Sequence, residues 1–198
     1  MAGAGKSTIG QALPQALDAA GVDAGYVDCH LARGSKLSAL AAAPRAAMVG
    51  LVASRGRPAL ARRQLALLPF IRVASDHEGA RVLVLDEGPV KRLSGIYFRG
   101  EPWRPLLGHL PSPDVVVLVE APVDLCLERL RGRERPSGID GLGDGQARGF
   151  LAGDRDSSRA FAGLLGVPVV EVDGASDAAV GGLVDVVMSL VSEGRLGP

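Results

Sequence analysis

Six consecutive residues near the amino end, Gly3-Ala4-Gly5-Lys6-Ser7-Thr8, combine small residues, one cation and two hydroxyls. With Met1 and Ala2 they fill all but the first position of G-x-x-x-x-G-K-[ST], whose opening glycine would fall just before Met1. That pattern is built to hold a nucleoside triphosphate. Gly3 and Gly5 let successive main-chain N–H groups turn inward as an anion nest, and the following helix aims its N-terminal dipole at the same phosphates. Lys6 then reaches the β- and γ-phosphates of ATP, the Ser7 hydroxyl ligates Mg²⁺, and Thr8 contacts the next phosphate inward. The plain alternative is a flexible small-residue start that carries Gly-Lys-Ser by chance. Ile9, Leu13 and Leu17 argue against it, because their spacing makes the amphipathic helix the motif requires.

Two carboxylates, Asp86 and Glu87, end the apolar run Val82-Leu83-Val84-Leu85. Carboxyl ends of strands line the ligand crevice of doubly wound sheets, so these acids are expected to face the γ-phosphate. One would hold Mg²⁺, with Asp86 the metal candidate beside Ser7; the other would take a proton from an attacking hydroxyl or water. An ordinary acidic turn after a core strand is the plain alternative. A third cluster is Glu128-Arg129-Leu130-Arg131-Gly132-Arg133-Glu134-Arg135. Arginines at a helix end can simply complement its dipole, or they can clamp a transferring phosphate when a loop closes. Their position between a Pro-bounded strand and a Gly-rich segment favours the clamp.

The elements that must position these groups alternate along the chain. A helix follows the loop to about Ala20, with a kink or irregularity at Pro14, and Gly25 to Cys29 reads as a short strand. Residues from about Leu37 to Val73 are Ala/Leu-rich and helical, broken at Pro44, Gly56-Arg57-Pro58 and Pro69. The acid-tipped strand precedes helices over Pro89–Phe98 and near Trp103–Leu110, then a second clear strand runs from Pro113 to Glu120. A helix from Pro122 to Arg131, a loop over Gly132–Gly145, a helix over Gln146–Leu165, a strand over Val167–Val172 and a helix over Ala178–Val191 complete the pattern. Strand and helix in alternation mean an α/β chain with a parallel sheet.

Composition removes several other classes. The 22 basic and 22 acidic residues cancel, which offers no overall cationic surface for nucleic acid. Aromatic residues are 4% of the chain, too few for a base-stacking platform. There is no apolar run of membrane-span length and no signal-peptide pattern, so a cytoplasmic protein is expected. Cys29 and Cys126 lie far apart with no metal-ligand spacing, and each reads as a small hydrophobe. His30, His77 and His109 do not cluster. Tyr97, Phe98 and Trp103 fit either an acceptor pocket or the core.

The whole pattern resembles the nucleoside and nucleotide kinases of the P-loop superfamily, most closely the thymidylate kinase-like group. The residues that carry the resemblance are the opening loop, the strand Val82–Gly88, and Pro113–Arg135 as strand, arginine helix and lid. It implies one three-layer P-loop NTPase domain over residues 1–198, with a lid at about 131–146 and an acceptor-side helical region at about 34–78. It also implies that Arg129 flanks the adenine, that Arg133, with Arg131 and Arg135, contacts phosphates from the lid, and that Asp173-Gly174-Ala175 packs by the adenine ring. Two segments differ from the thymidylate kinase pattern. Asp86-Glu87-Gly88 replaces Asp-Arg-Tyr/Phe, and Asp28-Cys29-His30-Leu31-Ala32-Arg33-Gly34 replaces Arg-Glu-Pro-Gly.

The leading expectation is an ATP- and Mg²⁺-dependent phosphotransferase acting on a small molecule, a nucleoside or a nucleotide, with Lys6, Asp86, Glu87, Arg131 and Arg133 as its catalytic set. Its partners would be ATP and an unidentified acceptor, with neither nucleic acid nor membrane involved and a homodimer left open. The rival is a P-loop ATPase or regulatory switch in which Glu87 polarises water; a non-catalytic relative is a third reading. One structural expectation follows from the motif. The strand that should feed the loop is absent before Met1, so the sheet should lack its central strand and leave the loop's first turn unsupported.

Overall fold

In the computed structural model the residues described are 3–28, 48–49, 52, 54, 56–67, 81–110, 112–133, 139–176 and 178–195. Helix α1, Lys6–Ala19, starts at the loop and buries Ile9, Leu13 and Leu17 on one face. Pro14 sits inside it, and the helix runs on through that position, forgoing the hydrogen bond a proline cannot donate. Strand β1, Ala24–Asp28, follows, and helix α2 covers Pro58–Leu65. Strand β2, Val82–Asp86, leads to helix α3 over Pro89–Phe98, where Pro89 occupies the first turn that tolerates it. A single turn α4, Arg104–Leu107, precedes strand β3 at Val116–Glu120. Helices α5, Val123–Arg131, and α6, Asp144–Gly163, come next, then strand β4, Val169–Asp173, and helix α7, Ala179–Ser192.

The strands pair in parallel but as two separate couples. β1 lies on β2 with Ala24 opposite Val82 and Asp28 opposite Asp86, and β3 lies on β4 with Val116 opposite Val169 and Glu120 opposite Asp173. Parallel strands need helices over them, and two apolar clusters supply the cover. One gathers Leu17 of α1, Leu127 of α5, Leu151 of α6 and Leu183 of α7 with Val119 of β3. The other joins Leu60 of α2, Leu93 and Ile96 of α3, and Phe161 of α6 with Val27 of β1. Helix, sheet and helix therefore form an α/β chain, and among the described residues no strand bridges β2 to β3.

Several expected boundaries shift. The strand expected from Pro113 pairs only from Val116, because Val116 is the first residue whose N–H finds a β4-side acceptor, the Pro168 carbonyl at 2.9 Å. α6 opens at Asp144, two residues early, and Arg148 and Arg131 draw its charged first turn toward α5. Much of the expected helical acceptor region over 34–78, with Arg33, His30, His77 and Cys29, lies outside the described residues, as do Glu134 to Gly138 with Arg135. No helix among the described residues is long and apolar enough to cross a membrane.

Candidate functional site

The loop is set by two left-handed glycines, Gly3 at φ +77° and Gly5 at φ +89°, the second capping α1. Left-handed backbone at alternating positions is what turns successive N–H groups to one side. Against expectation, the described part of the loop is packed rather than unsupported. Ala4 is fully buried, a Cβ on Gly3 would stand 2.6 Å from the Cys126 carbonyl oxygen, and a Cβ on Gly174 would collide with the Ala4 carbonyl. α5 and the turn after β4 thus close on the loop from its far side. Glycine at both contacts is what permits the approach.

Arg129 fastens the same junction. From α5 its Nη1 donates to the Gly3 carbonyl and to the Gly174 carbonyl, each at 3.3 Å. Gly174 N–H in turn donates to the Glu120 carbonyl at 2.6 Å, and Asp173 Oδ1 accepts from Ala175 N–H at 2.9 Å. Arg129, Asp173, Gly174 and Ala175, which the family resemblance assigned to one adenine site, therefore meet beside Gly3-Ala4-Gly5.

The carboxylates arrive from the other pair of strands. Asp86 ends β2 and is buried; Glu87 follows it at φ +51°, the sole non-glycine with positive φ among the described residues. That strained backbone turns the Glu87 side chain to Lys6, Nζ to Oε1 at 3.6 Å. Asp86 Oδ2 accepts a hydrogen bond from the Tyr26 hydroxyl at 3.2 Å. Burial, with the Asp86 charge beside it, pushes the Tyr26 phenol up to about 12. Gly10 of α1 leaves room for the ring: a Cβ there would stand 3.2 Å from Tyr26 Cε2 and 3.8 Å from Asp86 Cβ. Tyr26 had no motif to mark it. It is one aromatic in an ordinary strand, sixty residues from the acid it serves.

The lid arginines go elsewhere. Arg131 pairs with Asp144 at the surface, which holds that carboxyl below its usual range, and Arg133 is exposed. Neither meets Lys6. Two cations that the sequence did not single out line the space beside Lys6 and Glu87 instead, Lys91 of α3 and Arg155 of α6. Lys91 is held by Asp154 and by Ser158 Oγ at 3.4 Å. Nothing in the helical charge pattern distinguishes either from a solvated residue.

Other expectations resolve simply. Trp103 packs edge-on to Tyr97 and Phe161 with centroids 6.3 and 4.9 Å away, so both residues join the core, while Phe98 stays exposed. Cys126 is fully buried, burial raises its thiol, and it serves as core. His109 is exposed. For Mg²⁺, the Ser7 hydroxyl and the Asp86 carboxylate are hard oxygen donors, one on α1 and one at the end of β2, and the Lys6–Glu87 pair joins those two elements. Such a sparse oxygen set suits a cation that takes most of its ligands from phosphate and water.

No protein-family model matches the chain, and no curated protein matches it. Among solved structures it is similar to deoxyadenosine kinase from M. mycoides with the products dCMP and a flexible dCDP bound. The TM-score is 0.57 at 13% identity, over 98% of this chain and 96% of that one. A second structure of deoxyadenosine kinase from M. mycoides, with bound dCTP, gives a TM-score of 0.48 at 14% identity over the same shares. At such identities the likeness is one of fold. The chain shares the α/β fold of that first structure, with parallel strands between helices.

Proposed function

We propose that this protein is an ATP-dependent phosphotransferase whose acceptor is a nucleoside or nucleotide. The observation that carries the reading is the Lys6–Glu87 pair, which brings a phosphate-binding loop against a carboxylate-tipped parallel strand. The fold likeness to a deoxyadenosine kinase supports the acceptor class, and the thymidylate kinase-like pattern of the sequence points to the same class.

In this reading the main-chain N–H groups of the loop and the amino end of α1 take the ATP phosphates. Lys6 passes from the Glu87 carboxylate to the β- and γ-phosphates as the nucleotide enters. Glu87 then accepts the proton of the attacking hydroxyl, and Asp86, steadied by Tyr26, serves the Mg²⁺ side with Ser7. Mg²⁺, when bound, neutralises charge on the phosphate oxygens. Arg129 and the Asp173-Gly174-Ala175 turn border the adenine, and Arg155 and Lys91 supply positive charge beside the γ-phosphate. Arg131, Arg133 and Arg135 reach the phosphates only if the lid closes, which would cost Arg131 its surface pair with Asp144.

The test measures ADP release from Mg-ATP with deoxyadenosine, deoxycytidine, thymidine and their monophosphates, each against no acceptor. Acceptor-dependent ADP with a phosphorylated product is expected. Equal turnover without acceptor would mean a hydrolase with Glu87 polarising water. An absence of turnover, with ATP binding indifferent to Lys6→Ala, would refute both.

A further inference from the structure

A second cavity, of about 500 Å³, lies apart from the cleft that holds Lys6 and Glu87. No described residue lines both, and the ten residues of α3, about 15 Å of helix, run between Glu87 and Gly100 on the cavity wall. The wall is built by the way α3 ends. Gly100, at φ +65°, donates its N–H to the Tyr97 carbonyl at 2.8 Å, and Glu101 N–H donates to the Ile96 carbonyl at 3.1 Å. This pair of bonds is a Schellman turn, and it sends the chain back along α2. Two side chains of α2 fasten it there. Gln64 Nε2 donates to the Pro102 carbonyl at 3.1 Å, and Arg63 pairs with Glu101 Oε1. Edge contacts with Tyr97 and Phe161 then hold Trp103 in the wall.

The charges around this space are unbalanced. Arg57, just ahead of α2, and Arg104, at the start of α4, both line it and are both exposed. Among the described residues no carboxylate pairs with either guanidinium; Arg104 instead lies over the Trp103 ring, 5.5 Å from its centroid. A ring contact spends none of the guanidinium's five N–H donors. Like charges gathered at one cavity repel, and an anion between them removes the repulsion. The same junction also lacks donors. Glu101 Oε2 and Gln64 Oε1 are the two buried side-chain atoms without a hydrogen-bond partner among the described residues. Buried acceptors are ordinarily satisfied, so two of them together mark a place shaped by more than stability. The last torsion of a glutamate is soft, which lets Oε2 turn toward an N–H offered from the cavity.

These features define an occupant. It is an anion, to draw Arg57 and Arg104 together. It carries a planar ring, for which Trp103, Pro102 and Pro105 form an apolar seat. That ring bears an N–H donor for Glu101. A phosphate and an N–H-bearing ring occur together in nucleotides, and about 500 Å³ suits a small molecule. We propose that this cavity is a second nucleotide site, with the base of a nucleoside monophosphate against Trp103 and its phosphate between Arg57 and Arg104. The inference stands apart from the kinase reading, because none of these residues lines the cleft beside the phosphate loop.

Trp103 is the one tryptophan of the chain, so its fluorescence reports the site. The 198-residue chain is titrated without Mg²⁺ with dAMP, with deoxyadenosine and with inorganic phosphate. A saturable change with dAMP is expected, with the nucleoside and the phosphate each at least tenfold weaker. Arg57→Gln and Arg104→Gln, on separate elements, should each weaken dAMP at least tenfold while the thermal midpoint stays in place. Lys6→Ala should leave dAMP binding unaltered. No saturable change, phosphate binding as tightly as dAMP, or full binding by both arginine variants would overturn the proposal. So would loss of the signal with Lys6→Ala, which would put the nucleotide in the cleft and make Trp103 a distant witness. If one arginine variant fails to fold, the other decides. A chain that binds dAMP here yet phosphorylates nothing refutes only the kinase reading. One that transfers phosphate with Trp103 unmoved by dAMP refutes only this site.

Discussion

Tyr26 and Asp86 are joined across the β1–β2 pair: the phenol donates to carboxylate Oδ2 at 3.2 Å while α1 opens at Gly10 to admit the ring. The bond fixes one oxygen of the acid. It also gives the protein a titratable signature separate from any catalytic assay.

With two tyrosines in the chain, a spectrophotometric titration should show Tyr26 ionising late, near 12, and Tyr26→Phe should remove that step. The sign is fixed by linkage. Below pH 10 both folded and unfolded chains keep the phenol proton, and the full contribution is present. Between 10 and about 12 the unfolded chain loses its proton while the folded one retains it, so stability falls across that window. Tyr26→Phe should flatten this fall and cost about 1–2 kcal/mol at neutral pH by urea denaturation. An unchanged alkaline limb would count against the bond.

Gly174→Ala should be severe. Its Cβ would run into the Ala4 carbonyl and approach Val119 Cγ1 at 2.8 Å, and neither the loop backbone nor β3 can retreat freely. A loss of about 3 kcal/mol or more is expected, with weakened nucleotide binding. Gly149→Ala is the counterpart: its Cβ meets nothing within 4 Å on α6, so a gain of about 0.5–1 kcal/mol is expected. Paired denaturation curves decide it, and equal effects at the two sites would contradict the packing described.

Glu87→Gly should relieve left-handed strain at φ +51° and stabilise the chain by about 1 kcal/mol, while removing the carboxylate that faces Lys6. If Glu87 is the base, acceptor-dependent turnover should drop by roughly two orders of magnitude or more. Stability and rate measured on one preparation would separate the effects. A variant that is both more stable and equally active would assign Glu87 to structure alone.

Arg129→Ala removes a donor shared by Gly3 and Gly174, and should cost about 1–3 kcal/mol and weaken ATP binding. Arg129→Lys should recover little, since one ammonium does not reproduce the guanidinium's fixed geometry across two carbonyls. Isothermal titration with ATP, read beside the thermal midpoint, provides the check. Full recovery by lysine would reduce the contact to simple charge.

The local pattern was largely readable because it depends on neighbours in the chain. Helix α3 begins at Pro89 and ends at Phe98 where its residues say it should, since a proline suits a first turn and the apolar positions recur at helical spacing. The runs Val82–Leu85 and Val116–Val119 read as strands because they are short, apolar and rich in valine, and an acid stands at the carboxyl end of each. The surface pair of Arg131 was not readable for the complementary reason. Its partner Asp144 lies beyond a segment without periodicity, and a short-range charge pattern cannot tell a phosphate clamp from a surface ion pair.

The sequence by itself determined the glycine loop that opens α1 and the α/β alternation, because backbone freedom and hydrophobic period are properties of successive residues. Only the tertiary structure decided that Tyr26 serves Asp86, that Arg129 and Gly174 hold the loop, and that β2 and β3 line one cleft. Those relations join residues tens of positions apart. They exist only once parallel strands bring their carboxyl ends to one edge and helices fix the distance between them.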